Sequence, residues 1–172
     1  MPLRPGRTMR RIERPFTRIS ISKPKKSYVK SIPHSKTHQF EMGNREGNFD
    51  QIMFLTSENH VQIRDNSIES ARIVANKFLE TKLGLTNFFF KILVYPHHVV
   101  REHSIAQGAG ADRFSQGMRL SFGYPSNRAV QAKRGQRLIM LKLNKSNQQI
   151  GKLALIRAGK KLCTSTRIVI ES

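Results

Sequence analysis

Beyond about Phe40 the hydrophobic positions fall into short periods, whereas the residues before it have none. Residues 51–57 (Gln-Ile-Met-Phe-Leu-Thr-Ser) and 60–64 (His-Val-Gln-Ile-Arg) have the apolar density of strands, and the polar Glu58-Asn59 between them predicts a pair joined by a short turn. Asn66 with Glu69 three positions on is a variant of the capping box, a helix start. Ile68, Ala71, Val74, Ala75, Phe78 and Leu79 follow at three- and four-residue spacing, with Arg72, Asn76 and Glu80 opposite, and Gly84 is a natural stop. Residues 87–95 (Asn-Phe-Phe-Phe-Lys-Ile-Leu-Val-Tyr) are apolar on both alternating faces and predict the most buried strand. Pro96 should end it, and His97–Arg101 continues as a second extended piece.

Further strands are expected over 119–124 (Arg-Leu-Ser-Phe-Gly-Tyr), 137–143 (Arg-Leu-Ile-Met-Leu-Lys-Leu) and, closing the domain, 167–171 (Arg-Ile-Val-Ile-Glu). A second helix is expected from about Ser146 to Ala158, with Ile150, Leu153, Ala154 and Ala158 inward. Its Gly151 weakens helix propensity by roughly 1 kcal/mol against Ala. Strands and helices are interspersed without regular βαβ alternation, which predicts an α+β domain with a mixed or antiparallel sheet and two main helices.

Proline changes the picture for the first third. Five of the seven prolines (Pro2, Pro5, Pro15, Pro24, Pro33) precede residue 34, which disfavours a long helix or a central strand. The same stretch holds Arg4, Arg7, Arg10, Arg11, Arg14, Arg18, Lys23, Lys25, Lys26 and Lys30 against Glu13 alone. Residues 1–38 therefore read as a basic arm ordered mainly by a polyanion, and 39–172 as the folded domain. A solvated tail is the plainer alternative for the arm.

Charge then names the class of partner. The 172 residues carry 31 Lys and Arg against 11 Asp and Glu, a formal net charge of +20. Self-repulsion on that scale works against compaction and implies a nucleic acid or an anionic surface. A run of about eighteen apolar residues, which a membrane-spanning helix requires, does not occur, so no membrane partner is expected. The charged, Pro-containing start lacks the apolar stretch of a secretory signal. Cys163 is the lone cysteine and predicts a reducing, intracellular setting.

Three further basic clusters lie outside the arm. Arg128, Lys133, Arg134 and Arg137 surround Pro125-Ser-Asn127 and Gly135-Gln136, two expected turns that would present cations at strand ends. Lys160, Lys161 and Arg167 form another, and Arg101 and Arg119 bracket the segment between. That segment, with His103, Gly108, Ala109, Gly110, Ala111, Asp112, Arg113 and Gly117, is long for a connection in a compact domain. Its glycines permit close backbone approach to a ligand; a flexible surface loop is the alternative. The dinucleotide fingerprint fails because position 113 is Arg, and no phosphate loop ending in Gly-Lys-Ser/Thr occurs. His97 and His98 would face opposite sides of an extended segment, which argues against a metal site with His103, and nothing near Cys163 marks it as a nucleophile. Neither a metal, a cofactor nor an enzymatic activity is expected. Phe16, Tyr28, Phe114 and Tyr124 are candidates to stack on bases or to fill the core.

Taken together, Phe90-Lys-Ile-Leu-Val-Tyr-Pro-His-His-Val-Val-Arg-Glu102, Gly108-Ala-Gly-Ala-Asp-Arg113, Gly117-Met-Arg-x-x-Phe-Gly-x-Pro125, Gly135-Gln136 and the helix Asn66-Ser-Ile-Glu-Ser-Ala-Arg-Ile-x-Ala-Asn76 form a specific set. With them the chain resembles, over nearly its whole length, the universal large-subunit ribosomal protein family called L-sixteen in bacteria and L-ten-e in archaea, in its archaeal form. The resemblance implies an α/β-hammerhead fold in the cytoplasmic ribosome, packed on large-subunit (23S-type) rRNA near the aminoacyl-tRNA site. Partners would be that rRNA, tRNA, neighbouring ribosomal proteins and, as a further candidate, 5S rRNA, with no homo-oligomer. The loop 103–117 would face tRNA near the peptidyl-transferase centre, whose chemistry belongs to RNA. The chain departs from the family at Arg4-Pro-Gly-Arg-Thr-Met-Arg10, where an aromatic is usual at Met9, and at Asn127, Gln131 and Cys163. A competing class, an independent DNA-binding protein, would need a reading helix, yet the helix after Asn66 is nearly neutral. An enzyme using the His- and Gly-bearing segment is the third class.

Overall fold

The computed structural model describes residues 3–12, 22–26, 29, 31–103, 105, 108–113, 115, 117–119 and 121–171. Within them the order is β1 (Glu41–Gly43), β2 (Gln51–Ser57), β3 (Val61–Arg64), α1 (Asp65–Leu83), β4 (Phe88–Ile92), β5 (His98–Glu102), β6 (Tyr124–Ala132), β7 (Arg137–Leu143), α2 (Gln148–Gly159) and β8 (Thr166–Glu171). Five strands form one sheet in the order β1-β4-β7-β2-β8 and three form a second, β3-β6-β5. Every pairing is antiparallel. The fold class is α+β, as the interspersed periodicities predicted. No helix among the described residues is long and apolar enough to cross a membrane.

The expected pairing of 51–57 with 60–64 does not form: β2 pairs with β7 and β8, and β3 with β6. Glu58-Asn59 is a corner between the two sheets, where Ser57 Oγ donates to Asn59 O (2.8 Å). The β6–β7 connection turns the same corner. Ser57 N donates to Gln136 O (3.0 Å) and Gly135 N donates to Ser57 O (2.7 Å), tying the two crossings together.

The chain also departs from the expected elements over 119–128. Residues 119, 121 and 122 form turns, and the strand begins at Tyr124 and includes the Pro125-Ser-Asn127 expected as a turn. Pro125 is tolerated because it stands next to the strand's first residue, opposite a register shift between Val100 and Arg101. Gly123 (φ 79°) makes the corner into β6: a Cβ there would lie 2.8 Å from the Glu102 carbonyl carbon.

Helix α1 starts one residue before the predicted cap, with Arg64 as N-cap and no side-chain cap bond. The expected capping box does not form: Glu69 pairs with Arg72 (2.6 Å), Asn66 Oδ1 has no hydrogen-bond partner among the described residues, and the Asp65 carboxylate accepts from Asn66 N (2.8 Å) and Lys36 N (3.0 Å). Gly84 ends the helix as expected, its N–H donating to Glu80 O (3.0 Å). Strand β4 stops at Ile92, before Pro96, with Phe88, Phe89, Phe90 and Ile92 all buried. In α2 the inward face is Gly151, Ala154, Leu155 and Ala158, whereas Leu153, expected inside, is 51% exposed. One core joins Met53, Leu55, Phe88, Phe90, Leu141 and Leu143 of the larger sheet to Ala71, Ala75 and Leu79 of α1 and to α2.

Candidate nucleic-acid interface

The predicted basic clusters separate into cations engaged inside the protein and cations presented to solvent. Arg128 is of the first kind: its Nε donates to Pro33 O (2.6 Å) and its Nη1 to Tyr95 Oη (3.0 Å), bracing residues 33–36 against β6. Arg137 pairs with Glu171 and lies over the Phe54 ring at 4.0 Å. Arg4 pairs with Glu102, and Arg101 covers the Phe122 ring at 3.0 Å. In such pairs most of the guanidinium charge is balanced or stacked, so these groups shape the surface first.

The second kind lines two clefts. Lys133 and Arg134 are exposed at the β6–β7 turn and border a groove of about 840 Å³ with Ile12, His60 and His97. On another edge, Lys160 and Lys161 just after α2 meet Arg7 and Arg10 of the arm across a cleft of about 710 Å³. The sequence placed these two pairs in separate clusters; the fold brings them together. The arm reaches this cleft because Arg10 O accepts from Gln62 N (2.9 Å) on the outer edge of β3. Arg64, which no sequence reading singled out, stands in the same cleft with a relative exposure of 7%. Its position at the end of an alternating strand gave no signal of that role.

Lys23, Lys25 and Lys26 belong to a short 3-10 turn or its entry and are exposed, as is Arg11. Arg14, Arg18 and Lys30 lie outside the described residues, as do Phe16, Tyr28 and Phe114, while Tyr124 is 63% exposed.

The long segment leaves β5 at Glu102 and returns at Tyr124. Its base is pinned by His103, whose Nε2 donates to Gly117 O (2.7 Å). Beyond it Gly108, Ala109, Gly110 and Arg113 are exposed, and Ala111–Arg113 forms a single 3-10 turn. Gly108 (φ 113°) and Gly110 (φ 77°) adopt conformations that side chains rarely take, and a Cβ at 108 would meet nothing within 4 Å. These glycines serve the backbone path and leave room for an approaching partner. The Asp112 side chain is outside the described set; Arg119 is exposed, and Met118 is 73% exposed. His97 is exposed and His98 buried, on opposite faces as their adjacency predicted.

The model of the Ribosomal protein L16p/L10e family matches residues 16–169. The chain belongs to this family. Among its relatives, the large ribosomal subunit protein uL16 of Archaeoglobus fulgidus is 41% identical over 171 residues, covering 99% of this chain and 94% of the relative. The uL16 protein of Thermofilum pendens is 42% identical over 172 residues, covering 99% and 98%. That of Methanococcus maripaludis is 41% identical over 170 residues, covering 99% and 95%. The resemblance drawn from the motifs thus extends to the whole chain, and to archaeal relatives. In a ribosomal protein the cation-lined clefts need no catalytic explanation.

Proposed function

We propose that this chain is a structural constituent of the large ribosomal subunit, in the cytoplasm, and is not an enzyme. In this reading it binds large-subunit rRNA through its basic edges and directs the loop 103–117 toward tRNA at the aminoacyl site, close to the peptidyl-transferase centre. Neighbouring ribosomal proteins, and 5S rRNA, are further partners. The observation that carries the reading is the division of its cations: paired ones brace the fold, while Arg7, Arg10, Lys133, Arg134, Lys160 and Lys161 line open clefts. Phosphates held at separate edges suit folded RNA better than one straight duplex face. The near-neutral α1, packed over the core, has no reading face for a DNA groove.

Site-directed cross-linking tests both halves. A photo-reactive group at position 109 in translating ribosomes should join the chain to aminoacyl-site tRNA, and one at position 161 should join it to large-subunit rRNA. Adducts to protein alone from both positions would refute the assignment.

A further inference from the structure

We propose that the cleft between the arm, the start of α1 and the end of α2 is the seat of one phosphate group, held chiefly by the buried Arg64 guanidinium. Arg64 Nε and Nη1 are buried without a hydrogen-bond partner among the described residues. A guanidinium cannot shed its proton to escape burial, and a buried charge without a counter-ion is strongly unfavourable. None of the described residues supplies that partner, and an anion from outside would. Among the described residues no carboxylate lines the cleft, and Arg7, Arg10, Lys160 and Lys161 add four cations to Arg64. The three acids nearest in sequence are engaged elsewhere: Asp65 accepts from Lys36 N and Asn66 N, Glu69 pairs with Arg72 (2.6 Å), and Glu58 lies 3.7 Å from Arg167.

The helix ends act in opposite senses. Ser67, in the first turn of the 19-residue α1, lines the cleft and brings the positive end of that helix dipole to it. The C-terminal end of α2 also enters, but its last carbonyls already accept from Lys160 N, Lys161 N and Leu162 N. The net field favours an oxyanion, and one edge of the planar Arg64 guanidinium, Nη2 with either Nε or Nη1, matches two oxygens of a phosphate. At about 710 Å³ the cleft exceeds the volume of a lone phosphate severalfold, leaving room for the chain on either side of a phosphodiester. For the source of the phosphate the proposal rests on the rRNA reading; for the chemistry of the seat it does not.

Cys163 is the single cysteine and lines the same cleft, so its alkylation reports occupancy. The full chain is treated with iodoacetamide at fixed pH in inorganic phosphate, in chloride of equal ionic strength, and with a large-subunit rRNA fragment. At ten times its Kd, inorganic phosphate should slow the reaction about tenfold and raise Tm over chloride. Arg64→Met should lose both effects, and Arg64→Lys, which keeps charge without the fork, should retain a part. Protection by the rRNA fragment and not by free phosphate, if lost in Arg64→Met, supports the seat and assigns it to a strand phosphodiester. If wild type and Arg64→Met are protected equally, or if rRNA binds wild type without shielding Cys163, the seat is overturned while the rRNA reading stands. Phosphate protection in a chain that binds no rRNA would keep the seat and remove that reading. Should Arg64→Met fail to fold, the wild-type Tm decides: equal Tm in phosphate and chloride, together with unprotected Cys163 in the presence of rRNA, overturns the proposal.

Discussion

Gly151 of α2 lies directly on Leu143 of β7, so closely that a Cβ at 151 would fall 2.4 Å from Leu143 Cδ2. Met53 Sδ (3.1 Å) and Leu141 Cδ2 (3.3 Å) close the remaining space, and all three neighbours are fully buried. The glycine that weakens the helix locally is what lets the helix reach the sheet. Gly151→Ala gains roughly 1 kcal/mol of helix propensity but overpacks a fully buried site, where the ends of Leu143 and Met53 must shift, at about 1–3 kcal/mol. A lower urea midpoint is expected; a raised midpoint would show that the core yields.

Glu41 on β1 faces Lys91 on β4, with Lys91 Nζ 2.6 Å from Glu41 Oε1. The Lys91 hydrogen bond, joined by the charges of Lys91 and Arg45 and opposed by desolvation, holds the Glu41 carboxyl below its ordinary range. A depressed carboxylate stabilises the fold above its ordinary pKa, and that contribution is lost as pH falls through the depressed value. An NMR titration should show the Glu41 midpoint rising in Lys91→Gln. An unchanged midpoint means the pair does not form.

Arg128 and Arg134 should respond differently to the same change. Arg128→Gln loses bonds to Pro33 O and Tyr95 Oη and should reduce stability by about 1–2 kcal/mol. Arg134→Gln should leave the urea midpoint unchanged and weaken rRNA binding, with the salt slope falling by about one unit. Paired measurements of unfolding and binding check both; a stability loss in Arg134→Gln would place it among the bracing cations.

Deleting residues 104–116 should leave the fold intact, because the base of the loop is held from outside that span. His103 bonds to Gly117 O, and Gly123 packs on the Glu102 backbone. Circular dichroism and Tm near wild type, with impaired translation when the variant replaces the intact chain, are the expected pair. Unfolding of the deleted protein would mean the loop supports the core.

How much could be read beforehand depended on whether signals agreed. In α1 the spacing of Ile68, Ala71, Ala75 and Leu79 and the Gly84 stop agreed, and the helix is there. Strand β6 was hidden because Pro125 and Asn127 are turn formers; the register shift in β5 that accommodates Pro125 is a tertiary fact. The 51–64 segment reads as a hairpin because periodicity does not say which sheet a strand enters, and Ser57's bonds to Gly135 and Gln136 decide that from far along the chain. In α2 a short run with Leu153, Leu155 and Ile156 offers two apolar faces, and the close seat of Gly151 selects one. The exposed candidates of the interface were legible as charge. Arg64 was not, since an arginine ending a strand looks solvated until the arm and the end of α2 are folded over it.

The central claim, that open cation-lined edges grip rRNA phosphates, is tested most directly by the affinity of the purified chain for large-subunit rRNA across a salt series. If roughly ten phosphates are held, log K should fall linearly with log salt at a slope of about −7 to −9, which is roughly 10⁴–10⁵ in affinity between about 50 and 200 mM. Binding that does not change with salt would contradict the account.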